Sequence, residues 1–302
     1  MKIRPIIIPF FLMNRGCPHR CIFCNESITV GTSNELLTED HFRKTLEAYV
    51  NGRIRHRVNS ERRNQVLTKH MRDISDEGMP STSRPVQIAF YGGNFTGLAH
   101  DEQIALLNMA KPWLDKGIVE SIRISTRPDY IKAPILDLLK NYRVDTVELG
   151  AQSLDDNVLD ASGRGHSVAH VAHAVSLLRK SGLKAGIHLM AGLPGDTTER
   201  FFATIDRAIA LHPHMVRIHP TIVLKDTPLE EYFTKGEYTP LSLSQAVALC
   251  KEAVARFDAA HIPVIRVGLQ MTPAMGKSGA IVAGPYHPSF RSLLATSEEP
   301  FR

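Results

Sequence analysis

The sequence predicts an α/β protein in which helices cover a parallel sheet, and three observations support this class. Short apolar runs alternate with amphipathic segments of helical length. Most of these runs are solidly apolar or alternate only weakly, as expected of strands buried on both faces. Apolar residues make up 43% of the 302 residues, enough for a large core. Six or more right-handed β–α units would curl into a full or partial barrel, with an open doubly wound sheet as the alternative.

Seven apolar, β-rich runs are predicted to be strands. They cover residues 6–13, 86–91, 121–125, 146–149, 185–190, 216–222 and 264–267.

Amphipathic helices are predicted between the strands, including residues 101–116 and a final helix at 244–260. Ser167 is a candidate N-cap for a helix that ends at Gly182. Asp196 followed by Glu199 resembles a capping box and predicts a helix over residues 197–211. Cys250 falls on the apolar side of the final helix, which predicts a core cysteine rather than a metal ligand.

One polar stretch, at about residues 51–85, interrupts the β–α alternation. Its segment from Arg53 to Arg72 carries seven lysines and arginines against a single acid, Glu61. We interpret the stretch as a helix extension and a loop inserted between the first two strands. The positive charge of this stretch permits a nucleic-acid partner. So does the charge of the whole chain, which has a net charge of +5 and a pI near 9.0. A solvated charged loop is the alternative, since no aromatic residues interleave to stack on bases.

The first residues resemble a short signal peptide, because Lys2 and Arg4 precede an apolar run. Pro9 interrupts that run, however, and no pair of small residues marks a cleavage site before Cys17. No apolar stretch approaches the ~18 residues of a membrane span. The sequence therefore predicts a cytoplasmic protein with no membrane partner.

A cysteine triad directly after the first strand carries the strongest chemical signal. Cys17, Cys21 and Cys24 have the spacing C-x3-C-x2-C, which is typical of metal ligands rather than of disulfides. Three thiolates on a 4Fe–4S cubane would leave its fourth iron open for catalysis. Two alternatives remain, namely a zinc site completed by His19 or another histidine, and three unrelated buried cysteines. The spacing favours iron–sulfur over zinc.

Polar residues and glycines recur where the later strands end. Gly92-Gly93 follows the second strand, and paired glycines let a backbone approach a ligand closely. Glu148 and Arg217 stand inside apolar strands, where a buried charge needs a partner or a ligand. His219 stands beside Arg217. Together these strand ends predict a polar wall around a cavity, with the cysteine loop on one side.

With these motifs, the sequence resembles the radical S-adenosylmethionine (SAM) superfamily, in particular the radical domain of the Elongator catalytic subunit and its shorter bacterial relatives. The motifs that carry the resemblance, beyond the triad and Gly92-Gly93, follow one another along most of the chain outside the basic stretch. They are Ser125-Thr126-Arg127-Pro128-Asp129-Tyr130, Glu148-Leu149-Gly150-Ala151-Gln152-Ser153, Gly163-Arg164-Gly165-His166, Gly192-Leu193-Pro194-Gly195, Arg217-Ile218-His219-Pro220-Thr221, Leu224-Lys225-Asp226-Thr227, Arg266-Val267-Gly268-Leu269-Gln270 and Gly284-Pro285-Tyr286-His287-Pro288.

The resemblance implies a partial (β/α)6 barrel over residues 1–222, interrupted by the basic insertion, and a C-terminal extension over residues 223–302. It implies a 4Fe–4S cluster on Cys17, Cys21 and Cys24 and S-adenosylmethionine bound at its open iron. The implied contacts to the methionyl amine are Gly92, Gly93 and Asn94. Those to the methionyl carboxylate and ribose are Ser125, Arg127 and Gln152. The backbone of Gly192 and Leu193 is implied to lie near the adenine.

The function implied by the resemblance is reductive cleavage of S-adenosylmethionine and hydrogen abstraction from a substrate by the 5′-deoxyadenosyl radical. The electron would come from a reduced donor such as a ferredoxin or flavodoxin. A tRNA base, modified as a wobble uridine is by Elongator, is the first candidate substrate. A small molecule or a protein side chain is the second, and a non-catalytic metal-binding module is the third hypothesis. Elongator's acetyltransferase domain has no counterpart in these 302 residues, so the use of acetyl-CoA is not predicted.

Overall fold

The computed structural model describes residues 5–30, 37–51, 84–269, 275–276 and 279–296. Most of the basic insertion falls outside these ranges, so its interpretation as a helix extension and loop stays a prediction. Of the described helices, none has the length and apolar content that a membrane span requires.

Nine strands and ten helices make up the described fold. The strands are β1 (Ile6–Arg15), β2 (Val86–Gly93), β3 (Ser121–Thr126), β4 (Val144–Gln152), β5 (Lys184–Ala191), β6 (Met215–Pro220), β7 (Val223–Leu224), β8 (Val264–Val267) and β9 (Ile281–Ala283). The helices are α1 (Glu26–Thr29), α2 (39–51), α3 (His100–Asp115), α4 (Ala133–Asn141), α5 (Asp156–Ala161), α6 (Val168–Lys180), α7 (Thr198–Ala210), α8 (Pro228–Thr234), α9 (Leu243–Ala259) and α10 (Phe290–Thr296).

All seven predicted strands are present and form one parallel sheet in the order β1-β2-β3-β4-β5-β6-β8. A second, two-stranded antiparallel sheet pairs β7 with β9. The helix α9 packs on β5, β6 and β8, so it belongs to the layer that covers the outside of the main sheet. Both α9 and β8 come from the segment predicted as a C-terminal extension.

The main sheet is curled into a partial barrel. The guanidinium of Arg217 on β6 donates a hydrogen bond of 2.8 Å to the hydroxyl of Tyr91 on β2. In a flat sheet these strands, four positions apart, would be separated by roughly 19 Å. The interior side chains of β2 and β6 can meet only because the sheet bends around them. The open doubly wound alternative is therefore wrong, and in the described chain β1 and β8 remain the two edges of the barrel.

Helix starts follow the capping chemistry of the sequence, with one correction. Ser167 caps α6 as predicted, and its side chain accepts a hydrogen bond from the backbone of His170. The predicted capping box of Asp196 and Glu199 is wrong, because the N-cap of α7 is Thr197. The carboxylate of Asp196 points the other way and accepts a hydrogen bond from the backbone of Gly192, which shapes the turn after β5.

The core lies between the sheet and the surrounding helices. Its largest fully buried side chains include Phe42, Phe90, Phe95, Phe201 and Phe257. Cys250 is fully buried in the same core, which confirms its prediction as a structural residue, and burial raises the pKa of its thiol to about 12. A buried neutral thiol packs as a small apolar group.

Candidate functional site

A cavity of about 630 Å³ lies inside the partial barrel, at the ends of the strands where the chain leaves the sheet. The loop after β1 places all three cysteines of the triad on its wall. Gly92 and Gly93 end β2, and the ends of β3, β4 and β6 complete the lining. Reactive groups gather at this end of parallel β/α barrels because every βα loop begins there.

The cysteine loop is fixed by close backbone packing against the turn after β2. Gly16 has a φ of +74°, and a Cβ at this position would overlap the carbonyl oxygen of Asn94. A Cβ on Gly97 would in turn overlap the carbonyl oxygen of Gly16. Only glycines allow the two loops to approach this closely. This contact fixes the position of the chain directly before Cys17.

Asn94 joins three segments of the site through one buried side chain. Its Nδ2 donates to the carbonyl of Gly16 at 2.8 Å. Its Oδ1 accepts from the hydroxyl of Thr126 at 2.5 Å and from the backbone N–H of Arg127 at 3.0 Å. The side chain is fully buried, so these bonds link the cysteine loop to the end of β3 without competition from water.

Asn94→Ala is expected to destabilise the protein by about 2–4 kcal/mol, because it leaves the backbone groups of Gly16 and Arg127 buried without partners. Urea unfolding followed by circular dichroism measures the change. Asn108→Ala is the matched control, since Asn108 is exposed on α3 and only accepts from the hydroxyl of Tyr142. Equal destabilisation by the two variants would contradict the linking role of Asn94.

The thiols of the triad lie in an anionic, poorly solvated environment. Burial, followed by the charges of Glu26 and Cys21, raises the pKa of Cys17 to about 11. The same causes raise the pKa of Cys24 further. Arg164 acts against them, because its Nη1 lies 2.8 Å from the sulfur of Cys21. Three thiolates on the wall of one cavity, in this environment, need a cation to stabilise them together, as metal ligands do.

The donor set fits an iron–sulfur cluster. The three thiols face one cavity and form no disulfide. Within the described chain, no three cysteine, histidine, aspartate or glutamate side chains are arranged to hold one metal ion. A single zinc would require its sulfur ligands to converge at ~2.3 Å, whereas a cluster spreads them over several irons. His19, the predicted alternative zinc ligand, instead places its Nε2 2.8 Å from the carbonyl of Gly163.

A buried ionic network forms the wall of the cavity away from the triad. The carboxylate of Glu148 on β4 accepts hydrogen bonds from Tyr91 at 2.8 Å, from Arg123 at 2.8 Å and from Arg217 at 3.0 Å. Arg123 also donates to the side chain of Gln87 at 3.0 Å. The sequence predicted that Glu148 and Arg217 need partners, and the structure confirms that they pair with each other.

The charges of this network stabilise one another. Burial alone would raise the pKa of Glu148, but Arg217 and Arg123 outweigh it and hold that pKa below its usual range. Burial raises the pKa of the Tyr91 hydroxyl, with the charge of Glu148 adding to the effect. Tyr91 therefore stays a neutral donor, and Glu148 stays ionised between two guanidinium groups.

Two histidines lie beside the network with their rings edge to face. The ring centroids of His188 on β5 and His219 on β6 are 4.3 Å apart. Burial and the nearby charge of Arg217 lower the pKa of His188 to about 4. Burial, His188 and Arg217 likewise lower the pKa of His219. Both rings are therefore neutral at neutral pH.

The low pKa of His188 predicts that the protein loses stability in mild acid. Between the ordinary pKa of 6.5 and the folded value of about 4, the unfolded chain binds a proton that the folded chain excludes. The free energy of unfolding therefore falls as the pH drops through this window. In His188→Gln, the decrease between pH 7 and pH 5 is expected to be about 2 kcal/mol smaller than in the wild type.

Urea unfolding of the metal-free protein at the two pH values measures this difference. His173→Gln is the control, because His173 is exposed on α6. The prediction is wrong if His188→Gln and His173→Gln lose the same stability on acidification.

The structure brings most of the predicted site residues together. The cavity lining includes Cys17, Cys21, Cys24, Gly92, Gly93, Ser125, Arg127 and Gln152. The side-chain oxygen of Gln152 is buried without a hydrogen-bond partner in the described structure. Arg127, however, donates from one edge of its guanidinium, through Nε and Nη2, to the two carboxylate oxygens of Asp129 at 3.0 and 2.9 Å.

Three predicted contacts, Asn94, Gly192 and Leu193, are not among the described residues that line the cavity. Leu193 is buried, and the carbonyl of Gly192 accepts a hydrogen bond of 2.6 Å from the hydroxyl of Tyr238. Their roles at the amine and the adenine stay predictions.

Sequence reasoning assigned no role to several residues that line the cavity. Glu26 lies two positions after the triad, and its carboxylate accepts a hydrogen bond from the backbone of Asn14. Arg164 stands between Gly163 and Gly165, both with positive φ, and this glycine spacing could have marked a turn that delivers the arginine. No sequence signal indicates that Tyr91 and Arg266 face the same cavity.

Comparison with known proteins gives matches over nearly the whole described chain. The family model for the Radical SAM superfamily matches residues 11–208, and that for the Radical_SAM C-terminal domain matches residues 213–299. The tRNA uridine(34) acetyltransferase of Methanocaldococcus infernus is 36% identical over 133 residues, which cover 43% of this chain and 25% of that protein.

Two solved structures share the fold. That of archaeal Elp3 from Methanocaldococcus infernus has a TM-score of 0.59 at 25% identity and covers 70% of this chain and 53% of that one. Coproporphyrinogen III oxidase from Escherichia coli has a TM-score of 0.54 at 19% identity and covers 85% and 53% of the two chains. This chain thus spans about half the length of these structures and a quarter of the acetyltransferase.

Proposed function

Because the chain belongs to the radical SAM superfamily, whose enzymes use S-adenosylmethionine and an iron–sulfur cluster, we propose that Cys17, Cys21 and Cys24 hold a 4Fe–4S cluster with one open iron. The observation that carries this proposal is that the three cysteines line one cavity and that none of them is in a disulfide. The family match and the likeness to Elp3 agree with the resemblance to Elongator's radical domain.

The cluster, when bound, supplies the electron that cleaves S-adenosylmethionine into methionine and the 5′-deoxyadenosyl radical, which abstracts hydrogen from the substrate. The chain's own residues position the reactants. Gly92 and Gly93, which line the cavity, would present backbone groups to the methionyl amine, and Asn94 holds their turn against the cysteine loop. Ser125 and Gln152 line the cavity at the ends of β3 and β4 and would contact the carboxylate and ribose.

Arg127 and Arg164 supply positive charge beside the triad. Burial raises the pKa of Cys17 and of Cys24, and the charge of Arg164 acts against this rise in both, as that of Arg127 does for Cys17. The guanidinium of Arg164 is held between the sulfur of Cys21 and the carbonyl of Gly150, 2.5 Å away. This fixed cation stabilises the thiolate form that iron binding requires.

The proposed substrate is a tRNA base of the wobble-uridine class. Support comes from the similarity to a tRNA uridine(34) acetyltransferase and from the basic pI near 9.0. The electron donor would be a reduced ferredoxin or flavodoxin.

The test uses protein purified without oxygen, reconstituted with iron and sulfide, and reduced with dithionite. It is incubated with S-adenosylmethionine and a tRNA that has uridine at position 34, or with the same tRNA carrying cytidine there. We expect 5′-deoxyadenosine by chromatography. When the carbon-bound hydrogens of nucleotide 34 are replaced by deuterium, we expect deuterium in the 5′-deoxyadenosine from the uridine-34 tRNA only, because the C–H bond broken in the substrate is replaced by one formed in 5′-deoxyadenosine.

The outcomes separate the two parts of the proposal. Formation of 5′-deoxyadenosine without deuterium transfer from either tRNA would leave the radical chemistry standing and reject the tRNA substrate. A protein with a fully loaded cluster that forms no 5′-deoxyadenosine, with or without tRNA, would reject the catalytic proposal itself.

A further inference from the structure

The cavity carries an excess of positive charge. Among the described residues that line it, five are arginines and two are glutamates, with no lysine or aspartate. Buried guanidinium groups are stable only when anions or hydrogen-bond acceptors compensate them. The position of each arginine therefore indicates where an anionic ligand would bind.

Arg20 is exposed in the cysteine loop, and the other four arginines of the lining form two groups. Arg127 and Arg164 act on the thiols of the triad, and Arg127 is already paired with Asp129. Arg217 and Arg266 lie on β6 and β8, at the far edge of the sheet. The two residues are partners in the register of these strands, and burial, followed by the charge of Arg217, lowers the pKa of Arg266.

The carboxylate of Glu148 already serves two guanidinium groups. Arg123 and Arg217 both donate hydrogen bonds to it, at 2.8 and 3.0 Å. Arg266, the register partner of Arg217 on β8, lines the same cavity. In this half-buried site an anionic ligand would interact more strongly with the guanidinium groups than it would in water.

An unsatisfied polar atom lies next to these guanidinium groups. His219 is 91% buried, since only 9% of its surface is exposed, and its Nε2 has no hydrogen-bond partner among the described residues. The Nε2 of the neighbouring His188 is likewise buried and unpartnered there. Both residues line the cavity, so a ligand in it can reach them.

From these observations we propose that Arg217, Arg266 and His219 form a subsite for a terminal oxyanion, carboxylate or phosphate monoester, of a small molecule that enters the barrel beside S-adenosylmethionine. The proposal rests on the proposed radical SAM function only in taking S-adenosylmethionine as the ligand next to this subsite. Guanidinium groups bind carboxylate and phosphate through paired N–H donors, and a neutral imidazole adds one more hydrogen bond.

Burial favours a small ligand over the backbone of a nucleic acid. The side chain of Arg217 is only 14% exposed, and His219 is still less accessible. An internal phosphodiester is flanked on both sides by nucleosides, which would have to enter the same cavity of about 630 Å³. A terminal oxyanion can reach the subsite without a further group having to enter the cavity on its other side.

Equilibrium dialysis of the cluster-loaded protein in saturating S-adenosylmethionine tests the proposal, with radiolabelled acetate and inorganic phosphate as probes. We expect one of the two, or both, to bind, and to bind at least ~10-fold more weakly to Arg266→Gln. Binding of acetate alone would identify a carboxylate ligand, and binding of phosphate alone a phosphate monoester. Arg266→Lys keeps the charge without the paired donors and is expected to be intermediate.

The matched control is Arg179→Gln, which removes an exposed arginine of α6 and should leave anion binding unchanged. Equal affinities in the wild type and Arg266→Gln would overturn the subsite. Loss of S-adenosylmethionine binding in Arg266→Gln would also overturn it, because Arg266 would then bind the cofactor and not a second ligand. Displacement of the probe by an oligoribonucleotide without a terminal phosphate would assign the subsite to RNA.

The same measurement separates this proposal from the proposed function. If the protein forms no 5′-deoxyadenosine but still binds the anion through Arg266, the radical chemistry fails and the subsite stands. If 5′-deoxyadenosine forms and neither probe binds to the wild type, the radical chemistry stands and the subsite fails.

Discussion

Cys24→Ala protein, reconstituted with iron and sulfide, is expected to lose the intact cluster and to release no 5′-deoxyadenosine above background. Cys24 lies on the cavity wall with Cys17 and Cys21, and two thiols cannot occupy three irons of a cubane. Iron and sulfide analysis, the electron paramagnetic resonance of the reduced protein, and the 5′-deoxyadenosine assay measure the loss at three levels.

Cys250→Ala is the control for the removal of one thiol. Cys250 is fully buried on α9, apart from the cavity, so this variant should keep the wild-type iron content and activity. Cys250→Ala should lower only the free energy of unfolding, because it removes a small buried group. If Cys24→Ala keeps the iron content and spectrum of the wild type, the assignment of the triad as the cluster ligands is wrong.

Glu148→Gln is expected to lower the free energy of unfolding by about 3–5 kcal/mol. The neutral amide leaves Arg123 and Arg217 without the one carboxylate that compensates both of them. The side chains of Glu148 and Arg123 are 6% and 5% exposed, so water cannot replace the lost charge. Guanidinium chloride is ionic and screens charges, so urea unfolding is the measurement to use.

The matched control is Glu252→Gln, which breaks an ion pair with Arg256 on the surface of α9. The distance there, 2.9 Å, is almost the same as in the buried pair, but the Glu252 side chain is 45% exposed. Such exposed pairs contribute less than about 1 kcal/mol. A Glu148 variant as stable as the Glu252 variant would show that the buried network is not what holds β4 against β3 and β6.

Local patterns in the sequence were sufficient for the fold class and for the grouping of the three cysteines on one cavity wall. Strands buried on both faces appear in the sequence as apolar runs. Cys17, Cys21 and Cys24 are separated by only three and two residues, so they lie near one another in any fold. Ser167 likewise predicts its helix start, because capping depends on residues three apart. The capping box predicted from Asp196 was wrong for the same local reason. Thr197, the next residue, can also cap a helix, and it is the N-cap of α7.

The rest of the site depends on distances across the barrel, which no local pattern encodes. Tyr91 and Arg217 are 126 positions apart and meet only because the sheet curls by a particular amount. Asn94 appeared in a motif implied to touch the methionyl amine, yet its side chain is turned into the protein and binds Gly16. Which way a short polar side chain turns is decided by the backbone groups that surround it.

Among the described residues β1 is an edge strand of the partial barrel, and this bears on the protein's behaviour at high concentration. The backbone N–H of Ile6 bonds to Pro85 beside β2, so by alternation the N–H of every second residue, at positions 7, 9 and 11, would point away from β2. Position 9 is proline, which has no N–H to offer there. A strand from another molecule would find an interrupted row of donors, and β1 is thereby protected against edge-to-edge aggregation.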